Sequence, residues 1–168
     1  MSRKSIFRDV HGKEFLRPKG ALVQWRPSGY ALVLNNQNQV LVIIPPWGEA
    51  YCLPGGRIEL NEEIISGIER ESVEETGRRI RVSSPAPFYV RSEYFYWRKK
   101  SKKPKYYRSL IMIYRGVLAD KKRVPSMPDR REVGHVTWIS LEKITEHNCQ
   151  WAFWPAIQQL QRELKLQC

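Results

Sequence analysis

Glu71, Glu74 and Glu75 are the side chains in this chain best placed to do chemistry. On a helix advancing about 100° per residue they fall within about 100° of one another, so their carboxylates make one acidic face. Three like charges at that spacing repel. A bound cation would supply the compensating charge that no interleaved lysine provides. Carboxylate oxygens select hard ions such as Mg²⁺ or Mn²⁺, which also bind substrate phosphates. Glutamate is also a good helix former and an acidic face is commonly just a solvated one, so the three residues alone assign no function.

Their surroundings are more specific. Gly56 is followed by five residues and Glu62, then by seven residues and Arg70-Glu71, then by Ser72-Val73, Glu74-Glu75, Thr76 and Gly77. This arrangement resembles the Nudix box: Gly, five residues, Glu, seven residues, Arg-Glu, an apolar residue, any residue, Glu-Glu, any residue, Gly and an apolar residue. Every charged and glycine position matches. Ser72 and Arg78 stand where the family prefers aliphatic residues, and Val73 and Ile80 beside them are expected to substitute in packing.

The resemblance implies a metal-dependent hydrolase that cleaves a diphosphate linkage in a nucleoside diphosphate joined to another moiety. Candidate substrates are a nucleoside triphosphate, a dinucleoside polyphosphate or a nucleotide sugar. It further implies that Glu71, Glu74, Glu75 and the backbone carbonyl of Gly56 hold Mg²⁺ or Mn²⁺. Glu62 and Arg70 would form a buried supporting pair that aims these carboxylates. Glu71 or Glu74 could be the general base, and so could an acid from a later loop, Glu132 or Asp129. Trp47, Tyr51, Tyr94 and Tyr96 are candidate rings for stacking on a nucleobase, although strand alternation places half of such rings in a core. Two alternatives stay open: removal of pyrophosphate from RNA 5′ ends, and a non-catalytic Nudix domain that binds nucleotide or nucleic acid.

The elements that must position these residues follow from pattern. Ala21–Trp25 and Tyr30–Leu34 read as two strands, and Asn35–Asn38 as a turn leading into a buried strand, Gln39–Ile44, which closes a hairpin. The box helix is expected to start at an Asn61 cap with Glu62 and Glu63 in its first turn, run about four turns, and stop at Gly77. Further strands are expected at Ile80–Val82, Phe88–Trp97, Tyr107–Leu118 and Val133–Ile139, then a short helix from Leu141 capped by Ser140, and a last helix over about Pro155–Leu164. Residues 98–105 would form a basic hairpin tip. Mixed strands with few helices give a single α/β domain over residues 20–168, preceded by an arm or edge element at 1–19. The resemblance specifies it as a Nudix-type α/β/α sandwich with a mixed sheet.

Composition sets the outer bounds. The chain has 168 residues, enough to bury a sizeable core, and an ordinary apolar fraction of 42%. The longest apolar run, Val40–Pro46, is far short of a membrane span, and the first residues lack the pattern of a secretion signal. Cys52, Cys149 and Cys168 match neither a disulfide framework nor a zinc-ligand spacing. A cytoplasmic protein without a membrane partner is the simplest expectation, with oligomeric state open between monomer and homodimer. The outlier is charge: 29 Lys and Arg against 17 Asp and Glu leave a formal +12. Such a field attracts free nucleotides, polyphosphates and RNA alike.

Overall fold

The computed structural model describes residues 5–46, 48–98, 103–119 and 135–166. In chain order its elements are β1 (Ile6–Arg8), β2 (Glu14–Leu16), β3 (Val23–Val33), β4 (Gln39–Ile44), β5 (Gly55–Arg57), α1 (Ile64–Thr76), β6 (Ile80–Val82), β7 (Tyr89–Trp97), β8 (Lys105–Leu118), β9 (His135–Ser140) and α2 (Trp154–Lys165). A short 3-10 helix, Leu141–Lys143, links β9 toward α2.

A seven-stranded mixed sheet runs β2-β1-β7-β8-β3-β5, with β6 added to the far end of β8. Its spine is the parallel pair β3–β8, in register from Val23–Tyr106 to Val33–Gly116. β7 runs antiparallel to β8, and β5 antiparallel to β3 at Ser28–Tyr30. Alternation sends β3 and β8 side chains to two cores. Leu32, Ile111 and Ile113 pack with Ile157 and Leu160 of α2. Ala31, Val33, Met112 and Tyr114 pack with Ile68 of α1. The two helices therefore cover opposite faces of the sheet, and the chain forms a single α/β/α domain. Each fully buried Ile or Leu contributes about 1.5–3 kcal/mol.

Four expectations need correction. Ala21–Trp25 and Tyr30–Leu34 are parts of one strand of 11 residues that runs through Pro27. Proline is tolerated there because β5 covers the second edge of β3 only at Ser28–Tyr30, so no ladder partner is lost. The expected hairpin between β3 and β4 is reduced to one bridge, Leu34–Val40. The Asn35–Asn38 turn forms, with Asn38 left-handed at φ 54°, but the strands diverge and β4 pairs instead with β9 in a separate two-stranded sheet. This buries both faces of β4: Val40 and Val42 enter the α2-side core, and Leu41 the α1-side core.

The third correction is the start of the box helix. Glu63 is the residue before the first turn, and no side chain caps it, so Asn61, Glu62 and Glu63 all precede the helix. At the other end Gly77 adopts φ 64° and donates its N–H to the Val73 carbonyl at 2.8 Å, the glycine stop that was expected. Ser140 likewise precedes the 3-10 helix without a cap bond. Residues 99–102 of the basic tip lie outside the described residues, as do Val133 and Gly134 at the start of the strand expected where β9 forms. Among the described residues no helix is long and apolar enough to cross a membrane.

The seat of α1 on the sheet is very close. A Cβ added at Gly29 would lie 2.5 Å from Ile68 Cγ1 and 2.9 Å from its Cδ1. Gly29→Ala should therefore cost about 1–3 kcal/mol, as overpacking of a filled core does. Denaturant unfolding tests this, and an unchanged midpoint would mean that helix and strand are less tightly seated.

Candidate active site at the box helix

The box begins where β5 crosses β3. Gly55 sits at φ 132°, a conformation that side chains rarely adopt, and a Cβ there would lie 2.2 Å from the Gly29 carbonyl oxygen. The approach brings the Gly55 N–H to Glu75, whose Oε2 accepts it at 2.9 Å. One residue on, a Cβ at Gly56 would lie 2.8 Å from the Glu71 carboxyl carbon. Glu71 and Glu75, one helical turn apart, thus both reach the Gly55–Gly56 backbone.

Arg70 supplies the second constraint. Its Nε and Nη2 donate to the two carboxylate oxygens of Glu62 at 2.7 and 3.0 Å, and Nη1 donates to Glu74 at 3.1 Å. Nη1 also lies 3.1 Å from Glu71 Oε1. The forked bond to Glu62 ties the helix to the preceding loop, which holds itself through the Glu59 N–H on Glu62 Oε2. The pair is half-buried rather than buried, with side-chain exposures of 34% for Arg70 and 17% for Glu62. Glu74 points away, 57% exposed.

Electrostatics follow burial. Desolvation, with smaller contributions from Glu71 and Glu74, pushes Glu75 up to about 8, against the opposing Gly55 N–H bond. Burial also raises Glu71, against the pull of Arg70. The Arg70 bond lowers Glu62 from 4.5 to about 2. Glu71 shares Arg70 with Glu62 and Glu74, and Glu75 has no salt bridge among the described residues.

Among the described residues no three acidic, His or Cys side chains converge on one point. The box residues nonetheless suit a hard divalent ion. Glu71 and Glu75 are oxygen donors held side by side at the Gly55–Gly56 backbone, Glu71 only partly compensated by Arg70, and Gly56 keeps clear the space beside Glu71 that a side chain would fill. Glu74 stands off, held by Arg70.

The other expected residues scatter. Glu132, Asp129 and Trp47 lie outside the described residues. Tyr51 bridges to Cys149 on the α2 side. Tyr96 stacks on Phe15 at 3.9 Å, and Tyr94 meets Phe7 edge-on. Ser72 takes the aliphatic position of the box, fully buried, its hydroxyl donating to the Ile68 carbonyl at 2.7 Å. Ile80 enters the core as expected, whereas Val73 stays half-buried. The Arg78 Nε is buried without a hydrogen-bond partner among the described residues. Sequence reasoning missed Gly55 as the anchor of Glu75. The Pro54-Gly55-Gly56 run signalled a turn, but not which carboxylate would meet its N–H.

A model of the NUDIX domain matches residues 24–160. The chain belongs to the Nudix family. Its fold is shared with solved Nudix structures. A MutT protein from Methanosarcina mazei superposes with a TM-score of 0.61 at 20% identity, covering 85% of this chain and 97% of that one. A MutT NUDIX hydrolase from Burkholderia pseudomallei gives 0.57 at 18%, covering 81% and 98%. An ADP-ribose pyrophosphatase from Streptococcus suis gives 0.55 at 13%, covering 82% and 92%. At these identities the likeness establishes the fold. No curated protein matches the chain.

The lowered Glu62 has a pH consequence for this Nudix domain. A carboxylate whose folded value, about 2, lies below its free value of 4.5 adds stability that is complete above 4.5 and is lost as pH falls toward 2. Glu62→Gln should lower the thermal midpoint near neutral pH and flatten its fall between those two values. Identical acid limbs for both chains would show that the Arg70 fork contributes nothing to folding.

Proposed function

We propose that the chain is a divalent-metal-dependent hydrolase of a diphosphate linkage in a nucleotide-type substrate, with Glu71 and Glu75 as its main metal ligands. The observation that carries this is the pair of half-buried carboxylates, one helical turn apart, that both reach the Gly55–Gly56 backbone, with Glu71 sharing Arg70 with two other glutamates and Glu75 without a salt bridge among the described residues. The Gly56 carbonyl completes the donor set, and Glu74 could join it only by leaving its Arg70 bond. Mg²⁺ or Mn²⁺ bound there would neutralise charge on phosphate oxygens and acidify the attacking water.

The chain's own residues supply the rest. Water attacks one phosphorus of the diphosphate, its proton passes to a carboxylate, and the bond from that phosphorus to the bridging oxygen breaks. The bridging oxygen leaves with the electron pair on the phosphorylated product. Glu71 is the favoured base, because it lies beside the Gly56 backbone at the centre of the site. Glu74 remains a candidate, although exposure and its Arg70 bond suit it less. Arg70 and Glu62 are positioning residues that hold α1 in rotation against the loop. The substrate is a nucleoside triphosphate, a dinucleoside polyphosphate or a nucleotide sugar. The setting is a protein without a membrane partner, in the cytoplasm.

The test is phosphate and pyrophosphate release from those three substrate classes with Mg²⁺ or Mn²⁺, before and after chelation. Arg70→Ala should lower kcat about 10- to 100-fold, the range for a residue that orients ligands. Glu75→Gln should lower it further. Full activity in Glu75→Gln, or activity that survives chelation, would refute the site assignment.

A further inference from the structure

The sheet face that seats α1 continues past the end of that helix. Gly29 and Ala31 lie beneath α1, and Trp25 projects from the same face of β3, 67% exposed. Register places Trp25, Arg108 and Tyr94 in one row across β3, β8 and β7. The Arg108 guanidinium carbon lies 5.3 Å from the Trp25 ring centre and 5.2 Å from that of Tyr94. Arg108 Nε donates to Ser92 Oγ at 3.2 Å, which fixes the head of the side chain in the row.

An exposed indole beside a fixed guanidinium is a stacking surface for planar, electron-rich rings, and the guanidinium adds donors for phosphate or base oxygens. Charge narrows the occupant. Val23–Pro27 and Lys105–Leu110 contain no acidic residue, Glu93 beside Tyr94 alternates to the other face and pairs with Arg91, and the whole chain carries +12. Among the described residues no carboxylate pairs with Arg108. An apolar protein partner would bury that guanidinium without a counter-charge, which is strongly unfavourable. A phosphodiester chain would provide one.

We propose that the Trp25–Arg108–Tyr94 row is a binding platform for single-stranded nucleic acid, with a base stacked on Trp25. A duplex hides its base faces and does not fit this mode. The row is also aligned with the box. Gly29 pairs with Gly56, beside Glu71, and lies four residues along β3 from Trp25. At about 3.3 Å per residue that is about 13 Å, close to the length of about four stacked nucleotides. A strand on the platform can therefore present its phosphorylated end to the box. Only this alignment, and not the platform itself, rests on the hydrolytic reading.

The experiment is fluorescence anisotropy with a labelled single-stranded RNA of about a dozen nucleotides, a length within the site sizes of such surfaces. The RNA ends in a 5′-hydroxyl, so that no diphosphate is present to be cleaved. Trp25→Ala should weaken binding by about tenfold or more, and Trp25→Phe should retain most of it. The same sequence as a duplex should bind more weakly than the single strand. Equal affinity of wild type and Trp25→Ala, or a duplex bound as tightly as the strand, overturns the platform. So does a dimer that Trp25→Ala dissociates in sedimentation without changing RNA affinity, since the row is then a self-association surface. Nucleotide turnover is followed separately. Trp25-dependent strand binding with no turnover keeps the platform and removes the hydrolytic reading.

Discussion

The chemistry of this chain depends on how closely one helix approaches one strand. α1 can lie against β3 because position 29 has no side chain, and Ile68 fills the space that a Cβ would occupy. The same closeness is repeated where β5 crosses β3, so that Gly55 and Gly56 are within reach of carboxylates on the next turns of the helix. Close-packed interiors do not absorb a displaced helix locally. A shift of α1 would withdraw Glu75 from its N–H partner and carry Glu71 away from Gly56. Placement of the acids and packing of the core are one constraint.

Charge at the box is arranged against the rest of the molecule. A chain of net +12 carries at this helix a surplus of carboxylates that share a single guanidinium. Arg70 bonds strongly to Glu62 and only partly compensates Glu71 and Glu74, while among the described residues Glu75 is bonded by a backbone N–H alone. The long-range field draws polyanions toward the surface. At the box, by contrast, the carboxylates outnumber the guanidinium they share.

Much of this was legible in the residues. The spacing of Gly56, Glu62, Arg70, Glu71, Glu74 and Glu75 fixes the family because each position answers a separate demand of one helix and one loop. The Gly77 stop and the strand content of β7 and β8 followed from local preference. Pairing partners did not. β4 is apolar on both faces, which says that it is buried but not that β9, almost a hundred residues later, is its neighbour. Residues 26–29 read as a gap between two strands, and only the short reach of β5 explains why the strand continues through Pro27. Asn61 has the chemistry of a cap, yet Glu62 is already committed to Arg70, and the helix starts after that bond.

The parallel pairing of β3 with β8 also governs the order in which the molecule is made. Ser28 meets Ser109 across 81 positions of chain. Parallel strands need long crossovers, and closing so large a loop costs entropy before any contact compensates it. During synthesis the box helix emerges well before β8. Until β8 arrives, α1 and β3 lack the sheet against which they pack, and the acidic cluster has no fixed geometry. Catalytic competence is therefore one of the last properties this polypeptide acquires, and the half-made chain, with apolar strand edges uncovered, is its most aggregation-prone form.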